Sequence, residues 1–157
     1  MKITEILTLE QVIIDFSASS SKQVLEQLAK LLSHGTYGLE VTDILSHLLS
    51  RERLGSTSIG NGVAIPHARI EGSPYTIAAF IRLKEGIDFN AIDNKPVSLF
   101  FALLVPEKST DEHLNLLAQL ATLFRNSKLR QYLREVKDPQ ELLQALIEWD
   151  STSSVSK

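Results

Sequence analysis

Apolar residues switch between two spacings along this chain, and each switch marks an element. Val12-Ile13-Ile14-Asp15-Phe16 is a β-rich run that reads as an early strand. Val24, Leu25, Leu28, Leu31 and Leu32 then recur at helical period. Ser20 and Gln23 stand in front of them at the spacing of a capping box, and Gly35 supplies a stop. Ile44, Leu45, Leu48 and Leu49 define a second helix that starts at Thr42 and runs out near Arg53, just before Gly55. Residues 63–65 read as a short strand, and 75–83 are β-rich and partly alternating. Residues 97–105 are almost wholly apolar and end at Pro106, the pattern of a strand buried on both faces.

Helical period then returns. Ser109 or Thr110 caps a helix carrying Leu114, Leu117, Leu120, Ala121 and Phe124, and a shorter helix begins at Ser127. Asp138-Pro139-Gln140-Glu141 combines a cap, a proline at the first helical position and an acid in the first turn. From Asp150 the composition turns to Ser and Thr, which predicts a flexible C-terminal tail over 150–157 and one domain over 1–149. Strands interleaved with helices around a buried central run predict the α/β class, as a mixed β-sheet flanked by helices on both faces (an α/β/α sandwich).

Composition narrows the function classes. A chain of 157 residues has the size of one domain, and a hydrophobic fraction of 43% is enough for a real core. Net charge is −3 with both signs interspersed and no basic stripe, which argues against nucleic acid as the main partner. Without cysteine there is no disulfide framework, no thiolate metal site and no cysteine nucleophile. The first residues lack the pattern of a secretory signal, and no apolar run approaches the roughly 20 residues of a membrane span. The expected setting is cytoplasmic.

The chemistry concentrates in Gly55-Ser56-Thr57-Ser58-Ile59-Gly60-Asn61-Gly62-Val63-Ala64-Ile65-Pro66-His67-Ala68. Pro66 fixes its own φ and biases Ile65 towards an extended shape, so His67 projects from a stiff strand end. Ser56, Thr57, Gly60 and Gly62 are candidates for a phosphate-binding loop, with glycine-turn N–H groups as an anion nest and hydroxyls as extra donors. Two glycines beside a strand more often make only a turn. The loop is neither a P-loop nor a dinucleotide fingerprint, since no Gly-Lys-Ser/Thr follows and it leads into a strand.

His67 beside such a cradle suits reversible phosphoryl transfer, because a neutral imidazole is a nucleophile near neutral pH. Arg51, in the last turn of its helix, is a candidate for holding phosphoryl oxygens through its planar fork. His113, in the first turn of a predicted helix, is a candidate to support His67. His34 and His47 fall in or beside ordinary helical patterns and receive no role. Asp88, Asp93 and Glu107 read as surface or turn charges. A His67–His113 metal pair lacks a third ligand, so no metal is assigned.

Three stretches carry a family resemblance: Arg51-Glu52-Arg53-Leu54-Gly55-Ser56-Thr57 through Ile65-Pro66-His67; Phe89-Asn90-Ala91-Ile92-Asp93-Asn94-Lys95-Pro96-Val97; and Phe101-Ala102-Leu103-Leu104-Val105-Pro106 with His113-Leu114 after it. Over roughly residues 41–147 the chain resembles the enzyme IIA proteins of the bacterial phosphoenolpyruvate phosphotransferase system, fructose/mannitol-like superfamily, nitrogen-regulatory branch. The resemblance implies a phosphoryl group accepted on His67 from an HPr-like phosphocarrier protein, with Arg51 and His113 lining the site and no metal or organic cofactor. It also implies regulation of target proteins by phosphorylation state, such as potassium transport or sensor components and nitrogen or carbon responses. Ser58 and Ala68 stand where glycine is common in relatives. Two other readings remain: a sugar-specific enzyme IIA that passes the group to a IIB domain, and a module that regulates by docking alone.

Overall fold

The longest apolar run becomes the centre of the sheet. The computed structural model describes residues 1–35 and 38–155, with side chains through residue 152. Along the chain come α1 (Ile3–Ile6), a 3-10 turn (Leu9–Gln11), β1 (Val12–Phe16), α2 (Ser21–His34) and α3 (Val41–Leu54). The strands β2 (Ser58–Gly60), β3 (Val63–Ala64), β4 (His67–Ile70), β5 (Ile77–Ile87) and β6 (Val97–Pro106) follow. The chain closes with α4 (Thr110–Phe124), α5 (Ser127–Glu135) and α6 (Pro139–Val155).

The six strands form one sheet in the order β1-β5-β6-β3-β2, with β4 also paired to β6. β6 runs antiparallel to β5 and parallel to β3 and β4, and β1 is parallel to β5, so the sheet is mixed as expected. Successive side chains of a strand point to opposite faces. Leu99, Phe101, Leu103 and Val105 of β6 therefore pack with α1, α4, α5 and α6. Phe100, Ala102 and Leu104 pack with α2 and α3 on the other face, and Val97 joins them where the β5–β6 register shifts. Both faces are dry, which is why 97–105 shows no alternation in sequence. Each fully buried Leu or Phe contributes roughly 1.5–3 kcal/mol of transfer free energy.

Several expectations shift. Ser20 caps α2 by accepting from the Gln23 N–H at 3.2 Å, but the Gln23 side chain reaches back to the Ser19 N–H and not to Ser20. In α4 the buried stripe is Leu116, Leu120, Leu123 and Phe124, so Leu114, expected on the apolar face, is 61% exposed. The flexible tail expected from Asp150 is not where the last helix ends: α6 continues to Val155, and residues 156–157 lie outside those described. Asp150 itself is buried, accepting from the Ile3 N–H at 3.1 Å and from Gln119 Nε2 at 2.8 Å. This carboxylate joins the two ends of the chain, a long-range pairing with no local sequence signal.

Candidate active site

His67 is placed by the register of one strand line. Val63 lies opposite Leu99 on β6 and His67 opposite Leu103, so β3 and β4 continue the same parallel ladder across Ile65 and Pro66. The Leu103 N–H donates to the Pro66 carbonyl at 2.9 Å, and Pro66 needs no donor of its own there. His67 thus opens a new strand; the sequence reading placed it at the end of one.

Its ring is fixed by a second contact. His67 Nδ1 lies 2.7 Å from the Ile65 carbonyl oxygen. A carbonyl only accepts, so Nδ1 carries the hydrogen and Nε2 keeps its lone pair. The Ile65 carbonyl is itself anchored: the Ile65 N–H donates to the Thr57 carbonyl at 3.0 Å. The Thr57 N–H donates to Glu52 Oε2 at 3.2 Å, and the Thr57 hydroxyl donates to Glu52 Oε1. Burial raises the Glu52 carboxyl above its ordinary range, with the Thr57 bonds opposing. Glu52→Ala removes the acceptor for two partly buried donors. The expected cost is about 1–3 kcal/mol, read by urea denaturation; an unchanged midpoint would remove Glu52 from this scaffold.

The imidazole faces a cavity of about 600 Å³ at the outer edge of β4. The C-terminal half of α3 supplies Arg51, and the first turn of α4 supplies His113. Gly55, at φ 153° where α3 ends, turns the chain so that its carbonyl accepts from Arg51 Nη1 at 2.8 Å. The His67 and His113 rings meet edge to face with centroids 5.1 Å apart. His113 Nε2 is buried and lacks a hydrogen-bond partner, unlike every other such side-chain atom among the described residues.

Two more residues line the cavity that sequence reasoning passed over. Arg69 lies two positions after His67 on β4 and so shares its face. Its Nη1 donates to the Thr110 hydroxyl at 3.2 Å. His47, read as an ordinary helical residue, sits one turn before Arg51 and also lines the cavity. Glu107 is at the rim as the cavity's one carboxylate.

The expected phosphate-binding loop is not in this cavity. The Ser56 hydroxyl donates to the Phe89 carbonyl at 2.9 Å, and Thr57 is held by Glu52. Gly60 and Gly62 flank the tight turn between β2 and β3, and the Asn61 N–H donates to Asp93 Oδ2 at 2.9 Å. The hairpin braces β3, and the N–H-bearing side chains that line the cavity are instead those of Arg51, Arg69, His47 and His113. Neither Ser58 nor Ala68 takes a positive φ, so the two departures from glycine carry no backbone strain.

The electrostatics suit an unprotonated nucleophile. Burial lowers the His67 pKa from 6.5 to about 4, with Arg51 and His113 adding to the shift and the Ile65 bond opposing it. His113 is also lowered, by burial first and then by Arg69 and Arg51. Near pH 7 both rings are neutral, and the cavity's fixed positive charge comes from the two arginines. The unfolded chain takes up a proton at His67 as pH falls through 6.5, whereas the folded chain does so only near 4. Stability contributed by His67 is therefore lost across that window, by about 3 kcal/mol in total. The expected observation is that wild type loses this much more stability than His67→Gln between pH 7.5 and 4. Parallel stability curves would contradict it.

Among the described residues, no cluster of three or more His, Cys, Asp or Glu could hold a metal ion, and no helix is long and apolar enough to cross a membrane.

Known proteins share this sequence pattern and this fold. Residues 5–149 match the family described as "Phosphoenolpyruvate-dependent sugar phosphotransferase system, EIIA 2". A nitrogen regulatory protein of Pseudomonas aeruginosa is 38% identical over 148 residues, covering 94% of this chain and 96% of that protein. The crystal structure of nitrogen regulatory protein IIA-Ntr from Neisseria meningitidis superposes with a TM-score of 0.88 at 42% identity, over 92% of this chain and 98% of that one. The IIA mannitol structure from Escherichia coli, at 21% identity and a TM-score of 0.76 over 89% of this chain and 98% of that one, shares the fold. The chain belongs to the EIIA 2 family of the phosphoenolpyruvate-dependent phosphotransferase system, a transferase family, and its resemblance is to the nitrogen regulatory proteins within it.

Proposed function

We propose that this chain is a histidine phosphocarrier of a nitrogen-type relay, acting in the cytoplasm, that accepts a phosphoryl group on Nε2 of His67 from an HPr-like carrier protein. The observation that carries the reading is the hydrogen bond from His67 Nδ1 to the Ile65 carbonyl. It leaves Nε2 unprotonated in a cavity that Arg51 and Arg69 also line.

In the step, the Nε2 lone pair attacks phosphorus on the donor's phosphohistidine. A nitrogen–phosphorus bond forms on His67, the one on the donor breaks, and its electron pair returns to the donor imidazole. Little covalent work falls to the protein, so positioning and charge stabilisation dominate. Arg51 and Arg69 take the equatorial oxygens, and the buried His113 Nε2, as an N–H, gains an acceptor in the same group. In the product the imidazole carries the phosphoryl group on one nitrogen and still donates to Ile65 from the other.

With Nδ1 still protonated, the transferred group adds a net charge of about −1, as a dianionic phosphoryl group on a cationic ring, to a cavity whose wall also exposes Leu54. A change of that size at a docking face makes phosphorylation state a switch for target proteins, such as potassium transport or sensor components. The test is intact mass under alkaline conditions after incubation with phosphoenolpyruvate, enzyme I and an HPr-like carrier. One added phosphoryl group is expected. No addition with either nitrogen-type or sugar-type donors would overturn the reading and favour a docking-only module. Onward transfer to a IIB domain would assign the protein to sugar uptake.

A further inference from the structure

The Gly60-Asn61-Gly62 turn, excluded from the His67 cavity, borders a second cleft of about 410 Å³. Three cationic side chains line it: Lys95 from the segment before β6, and Arg130 and Arg134 from α5. Ser98 of β6 adds a hydroxyl, and no carboxylate lines the cleft.

Arg130 and Arg134 are four residues apart on one helix and so lie on the same face. Like charges at that spacing repel, and Lys95 adds a third. Among the described residues the sole ion pair is Arg82 with Asp15, so none of the three has a carboxylate partner. Asp93, the nearest acid in sequence to Lys95, has its oxygens engaged by the N–H groups of Asn61 and Lys95. Burial first, and then Arg130, push the Arg134 guanidinium below its ordinary pKa.

The two arginines are also held in place. Arg134 Nη2 donates to the Asn61 carbonyl, and Arg130 Nη1 donates to the Phe124 and Arg125 carbonyls at 2.7 and 2.8 Å. Each guanidinium has five N–H donors, so most remain for a ligand. Gly62 makes this approach possible: a Cβ there would lie 2.5 Å from Arg134 Nη2, and its φ of +79° disfavours any side chain. Two pre-positioned planar forks with a third cation beside them, in a concave cleft, match the shape and charge of phosphate.

We propose that this cleft is a second anion site that binds a small phosphate-bearing molecule, either free phosphate or a phosphorylated metabolite. Its concavity and volume, in the range of small-molecule pockets, favour such a ligand over the flat face of a protein. It is independent of the phosphoryl step at His67, so either can fail alone.

The test is a titration of the full chain, followed by amide and arginine Nε NMR signals, with inorganic phosphate, pyrophosphate and glycerol phosphate. Saturable shifts are expected at Gly62, Lys95, Ser98, Arg130 and Arg134. Lys95→Gln, a change at an exposed residue that leaves the fold intact, should weaken binding about tenfold, as should Arg134→Gln. Tightest binding of inorganic phosphate would identify the free anion as ligand, and tighter binding of the ester or diphosphate would identify a metabolite. Shifts confined to the His67 cavity, the absence of saturable shifts at millimolar anion, or unchanged affinity in Lys95→Gln would overturn the proposal.

Discussion

His67→Ala is expected to abolish phosphoryl acceptance while the protein stays folded. Loss of a covalent nucleophile costs on the order of 10⁴–10⁶ in rate, because what remains is binding without bond formation. The neighbours are less suited: in this scheme the buried His113 Nε2 carries an N–H and has no lone pair to offer, and the His47 ring is exposed to solvent. The structural cost is small by comparison. The Ile65 carbonyl loses its donor, worth about 1 kcal/mol. Against this, the variant no longer holds a desolvated imidazole, so it should resist acid better than wild type. Intact mass after exposure to the phosphorylated donor reads the first effect, and urea denaturation reads the second. A phosphoryl group retained by His67→Ala would move the nucleophile elsewhere.

Arg51→Ala is expected to slow transfer by about 10²–10³, the range for loss of one pre-positioned donor to a developing charge. Arg69 also lines the cavity and remains, so activity should fall without vanishing. Arg51 also fixes the Gly55 turn through its contact to the carbonyl there. Arg51→Lys separates the roles. It keeps the charge but loses the planar fork, and should recover only part of the rate. Stopped-flow transfer from the phosphorylated donor would measure this. A wild-type rate in Arg51→Ala would exclude the residue from the phosphoryl site.

Legibility in the sequence followed the range of the interactions. α3 and β6 were readable because their burial patterns are local, helical for one and an unbroken apolar run for the other. His67, Arg51 and His113 stand out as candidates because residue type and place near an element end suggest chemistry, and one cavity is lined by all three. Arg69 had a signal that needed β4: once His67 opens a strand, the residue two positions on must share its face. The glycine loop misled because its partners, Asp93 and Arg134, are distant in sequence. Turn chemistry fixes the bend and not the direction in which it faces. Leu114 was misassigned because 114-117-121 is as regular a stripe as 116-120-123, and only the packing of α4 chooses between them.

The central claim is that Nε2 of His67 receives the phosphoryl group. Nitrogen-resolved NMR of the phosphorylated protein, correlating ring nitrogens and carbon-bound protons with phosphorus, tests it most directly. The expected result is one phosphohistidine, at His67, with phosphorus coupled to Nε2 and a protonated Nδ1 still bonded to Ile65. Coupling to Nδ1, or to any other histidine, would contradict it.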